Sequence, residues 1–358
     1  MKLKLSILDQ TPIRRGSNAY ETLQESVQLV KLADDAGYTR YWISEHHNIA
    51  SLACAAPEVL LARLGTETKR IRLGSGGIML PNHSALKVAE NFRLLEGLFP
   101  GRMDLGIGRA PGGDRLTASL LNPGNTFDPQ EYVQQIVTLK AFLTDDATPE
   151  TVHEKVKAIP VIHTIPDLWM LTSSGESAYL AAHLGMALSF AQFINPVGGA
   201  EAVNQYRKLF KPSKQLLQPE ASVGIFAFCG DTEEKAARMQ AVMDYRLLSI
   251  SKGQMDEAPS YESIRSYKYT SDELRHVQYN RQRMIMGTPD VVKDKILKLA
   301  REFNVEEIVI ATFADSFEDR LRSYQLLAEI FDLKNEVETP AFPDGAEKIL
   351  PLISNKTN

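Results

Sequence analysis

The sequence contains 358 residues, of which 44% are hydrophobic, so the chain is long enough to bury a large core. Its formal net charge of −5 disfavours a nucleic-acid partner or an anionic membrane surface, because both require a basic face. The two cysteines, Cys54 and Cys229, fit neither a disulfide framework nor a zinc-binding spacing, which favours a reducing compartment.

The amino-terminal segment resembles neither an export signal nor a membrane anchor. Its apolar run stops at Asp9, which is too short for the core of a signal peptide. No stretch of about 18 consecutive apolar residues occurs, so no membrane span is expected. We therefore expect a cytoplasmic globular protein.

Short apolar runs alternate with amphipathic segments along the whole chain, which is typical of parallel strands joined by helices. The runs predicted to be strands are Leu3–Leu8, Tyr41–Glu45, Ile71–Gly77, Met103–Gly108, Leu168–Thr172, Ala187–Ala191, Ser222–Phe228 and Glu307–Ala311. Between them, Gly37 occupies the position of a helix C-cap, Pro57 is placed to open the second helix, and Val292, Ile296 and Phe303 share one helix face. The strand count predicts one α/β domain over residues 1–358, a (β/α)8 TIM barrel, with an open doubly wound sheet as the alternative.

Two connections are longer than a minimal barrel needs. One follows the fourth strand, from Arg109 to Asp167, and the other follows the seventh, from Cys229 to Glu306. Both begin at carboxyl ends of strands, where barrels place their active sites. Because long insertions in a compact domain are usually functional lids or disordered, residues 249–283 are predicted to form a lid. The polar segment 334–358 is predicted to be an outer strap.

The second predicted strand leads into Glu45, His46 and His47 at the mouth of the barrel. Neighbouring strand residues point to opposite faces, so one histidine is expected to face the pocket and the other to pack behind it, unless the strand ends early. The competing interpretation is a polar strand end satisfied by local hydrogen bonds. A metal site is disfavoured, because the first strand adds no His-x-His pair and only His83 is near enough in pattern to help.

Two further strand ends carry groups suited to an anion. Gly106–Gly113 is not a dinucleotide fingerprint, because Pro111 occupies the place of its third glycine, but Arg109 could bind phosphate through its planar fork. Thr172–Ser177 precedes a helix, and a helix start attracts anions through its free N–H groups. Taken alone, a solvated arginine and an ordinary serine cap explain these segments. On neighbouring strands they predict a phosphate cradle.

The third strand carries Gly74, Gly76 and Gly77. Glycine weakens a strand unless another group approaches it closely. A flat ring lying against the strand would explain these residues, and a β-bulge is the alternative.

Together these segments resemble the bacterial luciferase-like flavin monooxygenases over nearly the whole chain. The matching segments are YWISEHH (Tyr41–His47), GSGGIMLPNH (Gly74–His83), PGRMDLGIGRAPGG (Pro100–Gly113), the TSSGES turn with its AAHLG helix (Thr172–Gly185), and GTPDVV (Gly287–Val292). Their order and spacing carry the resemblance, since no single segment is specific.

The resemblance implies a barrel that binds FMN, with His46 beside the isoalloxazine ring as general base and Glu45 and His47 in support. It also implies a cis peptide bond between Gly76 and Gly77, with the ring against it. An imidazole titrates near neutrality, so His46 is expected to act as both base and acid. The implied cofactor-binding residues are Gly76, Gly77, Gly108, Arg109, Ser173, Ser174, Gly175 and Ser177, the phosphate lying at Arg109, Ser174 and Ser177.

Two positions depart from the light-producing subunit of luciferase. Gly108 stands where that subunit has a reactive cysteine, and Ser173 stands where it has a carboxylate. The phosphate site is expected to survive the second change. Light emission and a long-chain aldehyde substrate are not implied.

The implied activity is that of a two-component monooxygenase. Reduced FMN from a separate flavin reductase and molecular oxygen would oxidise a small organic substrate, which the sequence does not identify. The insert tyrosines Tyr261, Tyr267, Tyr269 and Tyr279 are candidate substrate contacts, with surface packing as the alternative. Deazaflavin-dependent hydride transfer and non-catalytic FMN binding remain as other functions. The resemblance also implies a homodimer formed by outer helices.

Overall fold

Eight of nine parallel strands close into a barrel in the computed structural model of the chain, which describes residues 3–126, 128–145, 155–254 and 258–333. The strands are β1 (Lys4–Asp9), β2 (Arg40–Ile43), β3 (Arg72–Met79), β4 (Met103–Gly108), β5 (Asp167–Thr172), β6 (Ala187–Ala191), β7 (Ala221–Cys229), β8 (Met284–Gly287) and β9 (Glu307–Ala311). The helices are α1 (Ala19–Ala36), α2 (Pro57–Gly65), α3 (Ala85–Leu98), α4 (Arg115–Leu121), α5 (Pro129–Thr144), α6 (Gly175–Leu184), α7 (Gly199–Leu209), α8 (Glu233–Ser251), α9 (Tyr261–Ile264), α10 (Ser271–Asn280), α11 (Pro289–Phe303) and α12 (Phe317–Ile330).

The barrel closes because β9 pairs with both β1 and β7. Lys4 of β1 and Ser222 of β7 both lie in register with Glu307. The strands from β1 to β7 pair with one another in chain order, and every pairing is parallel. The predicted (β/α)8 barrel is confirmed, and the open sheet is excluded.

β8 is an additional strand that the sequence pattern does not predict. It pairs with the carboxyl half of β7, with Phe226 opposite Met284 and Cys229 opposite Gly287. The strand is short, and its methionines lack the branching at Cβ that typifies strand residues. Part of the long connection after β7 therefore extends the sheet at the carboxyl end of β7, outside the closed ring of eight strands.

β2 ends at Ile43 rather than at Glu45, where the apolar pattern places its end. Ser44, Glu45 and His46 therefore belong to the loop at the carboxyl end of the barrel. The alternation of strand faces does not govern the directions of these side chains.

Helix boundaries follow the local signals in the sequence. Gly37 caps α1 in the left-handed conformation, with φ of 87°, and Pro57 is the first residue of α2. On α11 the buried residues Val292, Ile296 and Phe303 form the predicted apolar stripe. Among the described helices, none is both long and apolar enough to cross a membrane. The predicted strap at 334–358 lies outside the described residues.

The hydrophobic core has an outer layer between strands and helices and an inner layer inside the barrel. In the inner layer the rings of Trp42 and Trp169 meet edge to face at 5.3 Å. The buried guanidinium of Arg40 lies over the Trp169 ring at 4.5 Å and forms ion pairs with Asp104 and Glu307. Because these groups close the barrel interior, the open end of the barrel is its carboxyl end.

Candidate functional site

A cavity of about 740 Å³ occupies the carboxyl end of the barrel. We call it the first cavity; it is lined in part by Leu8, Trp42, Glu45, His46, Gly76, Gly108, Arg109, Leu171, Ser173, Ser174, Ser177 and Gly224. Its volume lies within the range of small-molecule and cofactor sites, about 300–1,000 Å³.

His46 lines the first cavity, and one of its ring nitrogens has no hydrogen-bond partner among the described residues. Its Nδ1 is buried and has no hydrogen-bond partner among the described residues, while its backbone N–H donates to the Cys54 carbonyl at 3.1 Å. Burial lowers the pKa of His46 to about 4, although the charge of Glu45 partly opposes this shift. The expectation of titration near neutrality is therefore wrong. At pH 7 the imidazole is neutral and can accept a proton.

Glu45 lies beside His46 and binds two other imidazoles. Its Oε1 accepts hydrogen bonds from His47 Nε2 at 2.7 Å and from His83 Nε2 at 2.9 Å, and its Oε2 accepts from the Met79 N–H at 2.9 Å. Burial raises the pKa of Glu45, but these partners, led by His83, outweigh burial and lower it. Burial also lowers the pKa of His83, and its hydrogen bond to Glu45 reverses that effect and raises it.

The adjacent residues His46 and His47 lie in different environments. His46 lines the first cavity, whereas His47 lies behind the wall and donates its backbone N–H to the Gly112 carbonyl at 2.9 Å. His83 enters as a partner of Glu45, a contact that the sequence pattern did not indicate. Within the described ranges, no group of three His, Cys, Asp or Glu side chains is arranged to hold a metal ion.

Arg109, Ser174 and Ser177 line another part of the first cavity, and we call them the anion cradle. The Nη1 of Arg109 lies 3.7 Å from the Glu176 Oε2, and both side chains are exposed, at 45% and 81%. Ser174 is the N-cap of α6, yet within the described structure its hydroxyl makes no capping hydrogen bond. The Ser174 hydroxyl and the first N–H groups of α6 can therefore bind an anion.

The predicted glycines divide into two groups. Gly76 and Gly108 line the first cavity, whereas Gly77 and Gly175 are not among its lining residues. A Cβ at Gly77 would lie 2.7 Å from the Gly106 carbonyl oxygen, so this glycine permits the close packing of β3 on β4. The Gly76–Gly77 peptide bond is cis, as predicted, and the pairing register between β3 and β4 shifts between Gly76 and Ile78.

A second cavity, of about 310 Å³, adjoins the first. It is formed largely by the connection after β7 and is lined in part by Ile49, Leu52, Phe226, Met243, Arg246, Leu247, Ile250, Arg283 and Phe313. The two cavities share Gln10, His46, Phe193 and Ile194. His46 therefore borders both spaces.

The four tyrosines proposed as substrate contacts pack on the surface of the insert. The rings of Tyr267 and Tyr269 meet edge to face at 5.0 Å, and Arg238 lies over the Tyr261 ring at 5.1 Å. In the part of the chain that the structure describes, neither cavity is lined by Tyr261, Tyr267, Tyr269 or Tyr279. These contacts favour the alternative of surface packing over the proposed substrate contacts.

The sequence matches the model of a family described as luciferase-like monooxygenase over residues 1–306. It is 49% identical to the uncharacterized protein YwcH of Bacillus subtilis (strain 168), covering 92% of this chain and 99% of the relative. The N-acetyl-S-alkylcysteine monooxygenase of the same organism is 33% identical, over 91% of this chain and 98% of its own. The solved structure of apo-MsnO8 is 35% identical, with a TM-score of 0.86 over 93% of this chain and 99% of that chain.

More distant solved structures share the fold and carry different cofactors. The oxygenating constituent of 3,6-diketocamphane monooxygenase from Pseudomonas putida, in complex with FMN, is 20% identical with a TM-score of 0.66, covering 92% of this chain and 97% of its own. An F420-dependent secondary alcohol dehydrogenase is 11% identical with a TM-score of 0.68, covering 94% and 100%. The fold therefore does not distinguish between these cofactors.

Proposed function

The chain belongs to the luciferase-like monooxygenase family, whose members are oxidoreductases, and on this premise we propose that it is a flavin-dependent monooxygenase. Reduced FMN and molecular oxygen would oxidise a small organic substrate, and a separate flavin reductase would supply the reduced FMN. The observation that carries this proposal is the position of His46, neutral and unpartnered at Nδ1, where the two cavities meet.

The donors of the first cavity fit FMN. Arg109 and the Ser174 and Ser177 hydroxyls would hold the phosphate, because a guanidinium fork and a helix start both favour anions. Gly76 and Gly108 lie on neighbouring strands and would let a flat ring approach the backbone. Nδ1 of His46 would face this ring.

A bound flavin would supply the electrons that activate oxygen, which no side chain of the protein can supply. The chain would bind and orient the ring, exclude water and move protons. His46 would accept a proton at Nδ1, because this nitrogen has no hydrogen-bond partner among the described residues and borders both cavities. Glu45, held by His47 and His83, would position the loop that carries His46. Residues 249–283 would act as a lid that excludes water from both cavities.

Monooxygenation is favoured over hydride transfer by the nearer relatives. The N-acetyl-S-alkylcysteine monooxygenase of Bacillus subtilis and a luciferase-like monooxygenase of Escherichia coli share 33% and 34% identity with this chain. The F420-dependent neighbour shares 11%. A non-catalytic FMN-binding protein would need the same cradle, but it would not need a proton acceptor between the two cavities.

Anaerobic titration with reduced FMN, oxidised FMN and F420, followed by mixing with oxygen, tests the proposal. We expect reduced FMN to bind more tightly than F420, and its reoxidation, followed by visible absorbance, to be slower than that of free FMN. Binding of F420 without binding of FMN would support hydride transfer instead. FMN binding with reoxidation at the rate of free flavin would support a non-catalytic binder.

We also propose that the protein is a cytoplasmic homodimer. The outer helices α2 and α3 contact each other and expose large apolar side chains, with Val59 71%, Leu94 55% and Leu98 56% exposed. Burial of such side chains between two copies would remove apolar surface from water. Light scattering on the purified protein should give twice the monomer mass, and a monomer mass would contradict this part of the proposal.

A further inference from the structure

Arg246 is a cation on the apolar wall of the second cavity. On α8 it lies beside Met243, Leu247 and Ile250, which share the same helix face and line the same cavity. Its guanidinium lies over the Phe313 ring at 4.2 Å from the ring centroid. Among the described residues it forms no ion pair with a carboxylate.

The carboxylates near Arg246 are engaged elsewhere. A third, small cavity is lined by Arg246 together with Glu25 and Asp315. Glu25 forms an ion pair with Arg14, and Asp315 accepts the Tyr261 N–H at 2.8 Å. Arg246 thus differs from other arginines of the described connection after β7.

Two neighbouring arginines illustrate the difference. Arg238, about two helical turns away on α8, pairs with Glu234, and Arg281 pairs with Asp244, each at 2.7 Å. Arg283, by contrast, also lines the second cavity, and its buried Nε has no hydrogen-bond partner within the described ranges. Both arginines that line this cavity therefore lack a carboxylate partner among the described residues.

An unpaired guanidinium in an apolar wall is an unfavourable arrangement for a protein by itself. Burial lowers the pKa of Arg246 to about 10, so the group stays charged at neutral pH. Removing a charge from water costs free energy unless an opposite charge or hydrogen bonds replace the water. A carboxylate is a good replacement, because its two oxygens match two donors of the guanidinium fork.

We propose that the second cavity binds the organic substrate and that this substrate carries a carboxylate, which pairs with Arg246, on an apolar body. The apolar body packs against Phe226, Met243 and Leu247, and the reacting atom points toward His46, where the cavities meet. This inference rests on the proposed function, since it names the class of substrate for the same site. Arg283 adds a second positive charge to the same cavity.

Matched pairs of acids and primary amides test this selectivity. Suitable probes are hexanoic acid, 3-phenylpropanoic acid and (butylthio)acetic acid, each beside its amide, with dissociation constants measured by ligand-observed NMR with and without FMN. We expect the wild-type protein to bind the acids at least about tenfold more tightly than the amides. Arg246→Gln should reduce this ratio to about one, chiefly by weakening the acids, and Arg246→Lys should keep part of it.

Arg238→Gln is the matched control, because it removes a positive charge from the same helix at a side chain that is 52% exposed and does not line the second cavity. It should leave the ratio of acid to amide binding unchanged. Equal binding of acids and amides by the wild-type protein would overturn the inference. A preference for acids that persists in Arg246→Gln would overturn it as well.

Two further measurements separate the possible failures. The melting temperature of the ligand-free protein should fall little in Arg246→Gln, because among the described residues the guanidinium has no carboxylate partner to lose and only its contact with the Phe313 ring is removed; a large fall would identify a structural role and overturn the inference. The dissociation constant of FMN is measured in the same samples. Absence of FMN binding would contradict the proposed function, whereas FMN binding without acid selectivity would contradict only the substrate class.

Discussion

The two walls that meet at His46 differ in whether their charged side chains have partners within the protein. The wall formed by the ends of β2 and β3 satisfies its charges internally, since Glu45 accepts hydrogen bonds from His47, His83 and Met79. The wall formed by the connection after β7 leaves Arg246 without a carboxylate among the described residues. A wall whose groups are already paired is preorganised, and a wall with an unpaired charge is completed by its ligand.

The anion cradle lies between these extremes. Arg109 has one distant carboxylate neighbour, Glu176 at 3.7 Å, and both groups are open to solvent. Such a contact is worth little in water, so Arg109 can exchange it for a phosphate at low cost. In the proposed function the three regions would divide the work into proton transfer, cofactor binding and substrate binding.

Substitution of His46 would give the largest effect and would sharpen this division. We expect His46→Ala to lower coupled product formation by about 10²–10⁴-fold, the usual contribution of a positioned acid–base group. Binding of FMN should change little, because His46 is not part of the anion cradle. The measurement is the ratio of product formed to oxygen consumed, with the substrate that the wild-type protein oxidises.

His276 provides the control for that substitution, since it is an exposed histidine on α10. His276→Ala should keep wild-type coupling. Coupled turnover of His46→Ala at the wild-type level would contradict a role for His46 in proton transfer.

Substitution of Arg109 should give a smaller, purely binding effect. A hydrogen bond to a charged group contributes about 1.5–3 kcal/mol, so Arg109→Ala should weaken FMN by about 10- to 150-fold. Riboflavin lacks the phosphate and should bind equally well to both proteins. Fluorescence titration with the two flavins gives both constants.

Arg115→Ala removes another exposed arginine that does not line the first cavity, so it should leave FMN binding unchanged. An equal loss of FMN and riboflavin in Arg109→Ala would show that Arg109 supports the cavity rather than the phosphate. That result would place Arg109 among the groups that stabilise the cavity wall, as Glu45 and its partners do, rather than among the groups that bind a ligand.

The sequence is sufficient to predict the barrel, because every one of its eight strands is an apolar run between helical segments. β8 escapes prediction, since Met284–Gly287 is short and has no β-branched residue apart from Ile285. The strand ends also reveal the neighbourhood of His46 and Arg109, because carboxyl ends of barrel strands meet in space.

Contacts between distant segments are not predictable in the same way. His83 reaches Glu45 across 38 positions, a contact that depends on how β2 and β3 lie side by side. Arg246 does leave a signal, because a charged residue interrupts the apolar face that contains Met243, Leu247 and Ile250. That signal indicates a buried cation on α8, but only the structure identifies the cavity that it lines.

The smallest predicted effect is a pH dependence of stability that separates His46 from His83. The pKa of His46 falls from 6.5 to about 4 on folding, so the unfolded chain binds more protons between these values. Its contribution is fully present above pH 6.5 and is lost as the pH falls toward 4. His83 has a raised pKa, so its contribution is present below 6.5 and is lost as the pH rises through its folded pKa.

The two histidines should therefore leave opposite signatures in the free energy of unfolding, measured by denaturant titration from about pH 4 to 8. His46→Gln should flatten the acid side of the profile by about 1–3 kcal/mol, because its neutral replacement has no proton to gain. His83→Gln should flatten the side above pH 6.5 instead. Identical acid slopes in the wild-type protein and His46→Gln would mean that the imidazole is not held neutral by burial, and the proton acceptor at the junction of the cavities would need to be a different group.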